Sequence, residues 1–260
     1  MRYVSIAFFV LMAVFAKLDR HFFKSNDSFC PKFIFPNWSR LPQLSTKPRD
    51  VSNILSQRFR YLTKGKQSFV FLSEDGKWVL KLPRLPRAKM RYALHFDAKK
   101  PFFENALLHG KSIYEELEKE TGVVYAHLKP SQQFNPVLLI DQYGQNYSLD
   151  PNDLPFFLQK RGEDFFTFFA GLKDPTTLIE KTISLFSSLY DKGFIDRDPI
   201  LDKNFGVIDG SPFIMDIGQL EKCDHLPSRR EYLEEMTQSL AEKLQRESPD
   251  LYKYYKKLLH

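Results

Sequence analysis

Cysteine is nearly absent from this chain. Only Cys30 and Cys223 occur, far apart and without metal-ligand spacing, so a cysteine-built metal centre is excluded and nothing is specified about redox compartment. Glycine is also scarce, at 11 of 260 residues, and no segment repeats or falls into low complexity, which excludes repeat arrays. No long basic run carries interleaved aromatics, which argues against nucleic acid as a partner. No apolar run reaches the roughly 20 residues of a membrane-spanning helix; Tyr3 to Ala16 fits the roughly 7–15-residue apolar core of a secretory signal better.

What is present suffices for a large core: 43% of residues are apolar and 25 are Phe. The length suits one or two lobes around one cleft. A net charge of +6, from 38 Lys and Arg against 32 Asp and Glu, suits anionic partners such as nucleotides, phosphorylated substrates or a membrane surface, or plain solubility. Lys17, Arg20, His21 and Lys24 follow the apolar run and outnumber the charge before it. An uncleaved anchor would therefore leave the following chain in the cytoplasm; a cleaved signal, with secretion, is the alternative.

Four segments follow: an anchor or signal over residues 1–24, an irregular linker or strap over 25–55, a β-rich lobe over 56–160 and a helical lobe over 161–260. Ser68–Leu72 and Lys77–Leu82 flank an Asp75-Gly76 turn and read as a hairpin. A helix is expected over Phe103–Glu120, stopped at Thr121-Gly122. Short strands are expected over Val123–Leu128, Val137–Ile140, Asn146–Leu149 and Phe156–Gln159. Ile179, Ile183, Phe186 and Tyr190 mark a helix that Thr176 or Thr177 can cap and Gly193 ends. A second Asp-Gly turn, Asp209-Gly210, joins Asn204–Val207 to Pro212–Met215. Leu233, Met236, Leu240 and Leu244 mark one further helix, and Pro249–Leu259 a last one.

The chemistry gathers around Asp196-Arg197-Asp198-Pro199-Ile200-Leu201-Asp202-Lys203-Asn204, followed by Asp216-Ile217-Gly218. Acid and amide side chains there can hold a divalent cation on a triphosphate while a carboxylate faces an incoming hydroxyl. Lys81 sits in the apolar strand Trp78-Val79-Leu80-Lys81-Leu82, on the face of Val79, and a lysine facing inward needs an anion. Against this, solvated loop acids and an edge lysine are common.

This set resembles the protein-kinase-like superfamily in a compact, divergent bacterial form. The likeness covers about Tyr61 to Leu220 and implies an α+β, two-lobed fold with a β-rich N-lobe and a reduced helical C-lobe. In that family a His-Arg-Asp triplet leads to an Asn and then an Asp-Phe-Gly. By the match Asp198 is the catalytic base, with Asn204 and Asp216 as Mg²⁺ ligands. Asp196 stands where the family has His, and the step from Asp198 to Asn204 is one residue longer, which leaves Asp196 as a rival base.

Thr63-Lys64-Gly65-Lys66-Gln67-Ser68 stands at the glycine-rich loop with Gly65 alone kept, and Lys81 at the phosphate-binding lysine. The helix glutamate that pairs with this lysine is assigned to Glu116, which shares a flank with Glu120 and Ile113, with Glu115 next; Glu104 and Glu118 are also available. The passage over Phe156–Glu163 would face an adenine. Few residues follow Gly218, so the activation segment, its Ala-Pro-Glu anchor and a large helical platform are not expected. The chain is in this respect similar to compact small-molecule and lipopolysaccharide-core sugar kinases. The implied function is ATP-dependent, Mg²⁺-assisted phosphoryl transfer to a hydroxyl acceptor near a membrane, a location that suits a lipid-linked acceptor. The alternatives are a pseudokinase-like binding module and a membrane-tethered scaffold. Nothing in the pattern specifies an oligomeric state.

Overall fold

The computed structural model describes residues 29–31, 34, 43–65, 67–84 and 100–259, with backbone alone at 100–104 and isolated helical positions at Met12, Val14 and Lys17. The expected apolar anchor over 1–24 thus lies, apart from those three positions, outside the described residues.

After a short helix α1 (Ser52–Leu55) come the strands β1 (Arg58–Lys64), β2 (Ser68–Ser73) and β3 (Trp78–Pro83), then helices α2 (Lys100–Glu116) and α3 (Glu118–Thr121). Strands β4 (Val123–His127), β5 (Val137–Ile140), β6 (Asn146–Leu149) and β7 (Phe156–Lys160) complete one seven-stranded sheet in the order β4-β7-β3-β2-β1-β5-β6. Its pairings are antiparallel except for β1 with β5. The β2–β3 turn is set locally. Gly76 takes a positive φ of 71°, while Asp75 accepts from Lys77 N and Ser73 Oγ accepts from Trp78 N.

Period-two alternation divides the sheet between two cores. Phe69, Phe71, Leu80, Leu82, Phe156 and Leu158 face an outer core with Phe29, Ile34, Val51 and Leu55. Phe29 meets Phe69, Phe71 and Tyr147 edge to face. Each such fully buried aromatic or aliphatic side chain contributes about 1.5–3 kcal/mol. The edge strand β4 is buried at all five positions and feeds both cores. Its free side is covered by residues 43–50: Leu44 N donates to Leu128 O, Thr46 Oγ1 to Ala126 O and Arg49 Nη1 to Val124 O. An edge so occupied is closed to pairing with another strand.

The second half comprises β8 (Glu163–Asp164), α4 (Phe165–Gly171), α5 (Thr176–Asp191), β9 (Phe194–Asp196), α6 (Leu201–Asn204), β10 (Phe205–Ile208), β11 (Ser211–Ile214), β12 (Leu220–Lys222), α7 (Arg229–Met236), α8 (Gln238–Glu247) and α9 (Pro249–Leu258). A β-rich lobe is followed by a helical lobe carrying a small hairpin. That is an α+β, two-lobed order. The inner core joins α2 and β4 to α5 and α7–α9 through Leu107, Ile113, Leu117, Phe186, Tyr232 and Leu240.

Three local expectations are revised. The helix expected to run to Glu120 breaks at Leu117, whose φ of −124° turns the chain while its side chain is fully buried. The helix over Leu233–Leu244 is two, divided at Thr237, whose buried hydroxyl bonds Leu233 O and Tyr255 Oη. Helix α5 begins at Thr176 without a side-chain cap from that threonine; Asp174 Oδ1 instead accepts from Thr176 N and Oγ1.

Candidate functional site

Gly193, at a φ of 75°, ends α5 and releases the chain into β9. Strand β9 pairs antiparallel with β12, Asp196 opposite Leu220, and Arg197 N donates to Gln219 O at 3.0 Å. The buried Tyr232 on α7 donates to Phe194 O at 2.8 Å, and Ser239 Oγ on α8 accepts from Leu201 N at 3.2 Å. The loop between β9 and α6 is therefore held at both ends by the helices beneath it.

Within the loop the bonds are short-range. Asp196 Oδ1 accepts from Asp198 N at 2.9 Å, and Asp198 O accepts from Ile200 N at 2.7 Å and from Asn204 Nδ2 at 2.6 Å. Asn204 O in turn accepts from Met215 N at 2.7 Å and Asp216 N at 3.1 Å, which joins the loop to the Asp-Ile-Gly triplet. Asp216 Oδ1 accepts from Gly218 N at 3.0 Å. Asp216 is exposed, Asp198 half-buried and Asn204 buried.

Lys81 reaches this loop from the sheet. Leu80 and Leu82 face the outer core, so Lys81 projects from the opposite face, and its Nζ donates to Met215 O beside Asp216. Burial of the ammonium pulls its pKa down to about 8, against the counteracting charge of Asp216. Asp196 is shifted the other way. At 1% exposure, burial raises its carboxyl to about 6; the Asp198 N–H opposes this, and the charges of Asp216 and Asp198 add to it. Asp196 Oδ2 is buried without a hydrogen-bond partner among the described residues.

The β1–β2 turn leans onto the triplet. Gly65 N donates to Ser68 O, and Gln67 Nε2 donates to Gly218 O at 3.2 Å. A Cβ on Gly218 would stand 2.9 Å from Gln67 Oε1, the free end of a flexible side chain, which would shift to admit it. A Cβ on Gly65 would meet nothing within 4 Å.

Glu116 is placed elsewhere than the resemblance implies. Both its carboxylate oxygens accept from Lys222 Nζ, at 2.9 and 2.7 Å, and its backbone carbonyl accepts from Lys192. Glu120 is buried against Lys192 and Ser188, Glu118 pairs with Arg49, and Glu115 lies 3.9 Å from Lys111. None of these four meets Lys81, and Glu104 falls where backbone alone is described. The physical reason is reach: the break at Leu117 and the Lys192 and Lys222 contacts draw the end of α2 to the helical lobe.

Gln159 was not anticipated. At 2% exposure, it faces the cleft side of β7 opposite Val79 and donates to Thr121 O at 2.6 Å and Ile214 O at 2.9 Å, pinning the sheet to β11. A lone amide in an apolar strand is the signal that could have marked it. A separate concavity of about 640 Å³ is lined by Glu116, Lys119, Lys160, Lys192, Ile208 and Phe213 among others. Lys81, Asp196, Asp198, Asn204 and Asp216 do not line it, and the charged partners of Glu116 and Lys192, which are Lys222 and Glu120, lie outside its lining.

No protein-family model and no curated protein matches this chain. Among solved structures, WbdD in co-crystal with a kinase inhibitor is 13% identical over 75% of this chain and 41% of its own, at a TM-score of 0.39. Monomeric WbdD is 15% identical over 74% and 43%, at 0.40. A divergent kinase lacking the glycine-rich loop, which regulates membrane ultrastructure of the Toxoplasma parasitophorous vacuole, is 14% identical over 70% and 61%, at 0.39. The chain spans less than two-thirds of each. The α+β, two-lobed description of the fold rests on the order of its own elements.

Proposed function

We propose that the chain is an ATP-dependent phosphotransferase, with residues 56–160 forming the nucleotide-side lobe and 161–260 carrying the reactive loop. The observation that supports this most is the chain of contacts that puts Lys81 on Met215 O while Met215 N and Asp216 N rest on Asn204 O. A cation from the sheet and an acid–amide pair from the loop then share one place.

Phosphoryl transfer asks for positioning and charge neutralisation more than for covalent chemistry. Lys81 would neutralise phosphate oxygens. Asp198, half-buried beyond the strand, would accept the proton of the acceptor hydroxyl. The donor set suits Mg²⁺: Asn204 commits Nδ2 to Asp198 O and keeps its amide oxygen, and Asp216 keeps Oδ2, which makes two hard oxygen ligands. When bound, Mg²⁺ would supply charge neutralisation on the phosphates. Among the described residues no group of three acids, histidines or cysteines forms a metal cage by itself.

Isothermal titration of Mg·ATP against wild type and Asp216→Ala tests the assignment. A large loss of affinity in the variant is expected; unchanged affinity removes the metal role. A pseudokinase-like binding module is favoured instead by two observations: Lys81 has no glutamate from α2 beyond the backbone-only stretch, and Gln67 covers Gly218. ATP turnover abolished by Asp198→Asn would sink that reading.

The acceptor is proposed to be a hydroxyl compound at or near a membrane, lipid-linked ones included. No helix of the described residues is long and apolar enough to cross a membrane, so this rests on residues 3–16. Membrane fractionation of the full chain and of a chain lacking residues 1–24 tests it, with release of the shorter chain expected and equal partitioning opposing it.

A further inference from the structure

The loop holds two acids, and the geometry separates their duties. This inference rests on the phosphotransferase reading and deepens it. Asp196 is the last residue of β9, inside the ladder with β12, and 1% exposed. A base must exchange a proton with an acceptor that arrives from solvent, and a side chain so enclosed does not meet one. Its Oδ1 is already committed to the Asp198 N–H at 2.9 Å.

The peptide groups of Asp198 are thereby held on both sides. Its N–H is fixed by the Asp196 carboxylate, and its C=O by the Asn204 amide at 2.6 Å and the Ile200 N–H at 2.7 Å. With N–H and C=O both tied, the backbone of Asp198 has little freedom left, and its half-buried side chain leaves from a fixed origin. We propose that Asp196 is a positioning residue whose Oδ1 clamps the backbone amide of Asp198, so that Asp198 alone meets the acceptor.

A retained acceptor atom keeps the clamp and a missing one removes it, which makes asparagine and alanine at 196 distinct probes. Asp196→Asn, Asp196→Ala and Asp198→Asn are compared in the full chain by amide hydrogen exchange at residue 198 and by ATP turnover with kcat and KM resolved. With alanine, exchange at 198 is expected to rise about tenfold, the loss of one net hydrogen bond. Its kcat is expected to fall about 10–100-fold with KM for ATP unchanged, the cost of a misplaced catalytic group. Asparagine is expected to restore protection and to hold kcat within about threefold of wild type, because the acceptor oxygen is kept.

Three results overturn the clamp. One is exchange at 198 that alanine leaves unchanged. Another is an asparagine variant as inactive as Asp198→Asn although its amide stays protected, which would make Asp196 the base. The third is an asparagine variant that loses protection as alanine does. Should alanine fail to fold, the asparagine comparison alone still decides between positioning and chemistry. A wild-type chain that neither binds nor turns over Mg·ATP would sink the phosphotransferase reading, whereas exchange at 198 would still decide the clamp.

Discussion

The floor and the roof of the cleft are built by different rules. On the floor, Asp196, Asp198, Asn204, Met215 and Asp216 bond one another over short sequence separations, although the buried Asp196 Oδ2 has no hydrogen-bond partner among the described residues. On the roof, Lys81, Gln67 and Glu116 find partners 134, 151 and 106 residues away. Local geometry decides the floor, and competition among distant groups decides the roof. Substitutions on the floor should therefore act on chemistry, and those on the roof on affinity and on how the lobes are joined.

The largest effect is expected at the floor's half-buried acid, Asp198. Asp198→Asn keeps the size and the backbone bonds but removes the base, and should lower phosphoryl transfer at least about 10²-fold, toward the 10⁴-fold upper range of general-base catalysis. Steady-state turnover at saturating Mg·ATP measures it. If activity persists, the floor has been misread and Asp196 inherits the role.

The next effect is on stability. Asp196 holds its proton up to about 6 when folded, against an ordinary value of 3.8, so between those values the folded chain binds more protons than the unfolded one. Wild-type stability from this group is accordingly present below about 4 and lost as pH rises through about 6. The cost of the charged form amounts to roughly 3 kcal/mol. In metal-free protein Asp196→Asn should be more stable than wild type at pH 7.5 by up to that amount, with the advantage shrinking toward pH 4. Denaturant unfolding of both proteins across that range reads the difference, and a constant gap would mean that Asp196 stays charged.

How much of this was legible beforehand follows the same division. The floor could be read because a stop glycine, an Asp-Gly turn and an acid–amide spacing are local signals; Lys81 could be read because strand periodicity alone turns it away from Leu80 and Leu82. Glu116 could not be placed, since a helical wheel states which residues share a flank and not which helix, strand or lysine that flank will meet. The break at Leu117 was hidden for a related reason: its buried side chain is compatible with a continuing helix, and only the packing below selects the turn. Residues 165–171 went unrecognised as a helix because Phe165, Phe166, Phe168 and Phe169 leave no polar face to give a period.

A smaller effect sharpens the roof. Lys81 loses its proton through about 8 because burial outweighs the attraction of Asp216, so its charge is fully present at pH 7 and largely gone at pH 9. If only the charged form binds phosphate, Mg·ATP affinity should fall by about tenfold between those values, one pKa unit's worth. Lys81→Met should bind weakly at both and show no such slope. Calorimetric titrations at the two values test this, and parallel slopes for both proteins would place the titrating group elsewhere.

The smallest effect is the one that decides whether floor and roof truly differ. Glu116 and Lys222 are 37% and 53% exposed at their side chains, so solvent screens their attraction, and the pair should contribute only about 0.5 kcal/mol. Glu116→Gln should then shift the unfolding midpoint slightly and leave Mg·ATP affinity and turnover as they were. Were Glu116 instead the partner that orders Lys81 for the phosphates, the same change would weaken nucleotide binding about as much as Lys81→Met does. Lys222→Gln separates the cases further, because it breaks the observed pair while leaving Glu116 free to swing to Lys81. Tighter Mg·ATP binding in that variant would show that the end of α2 is held away from the cleft by its contacts with the helical lobe. Equal affinity in all three proteins would show that the roof works without a glutamate at 116.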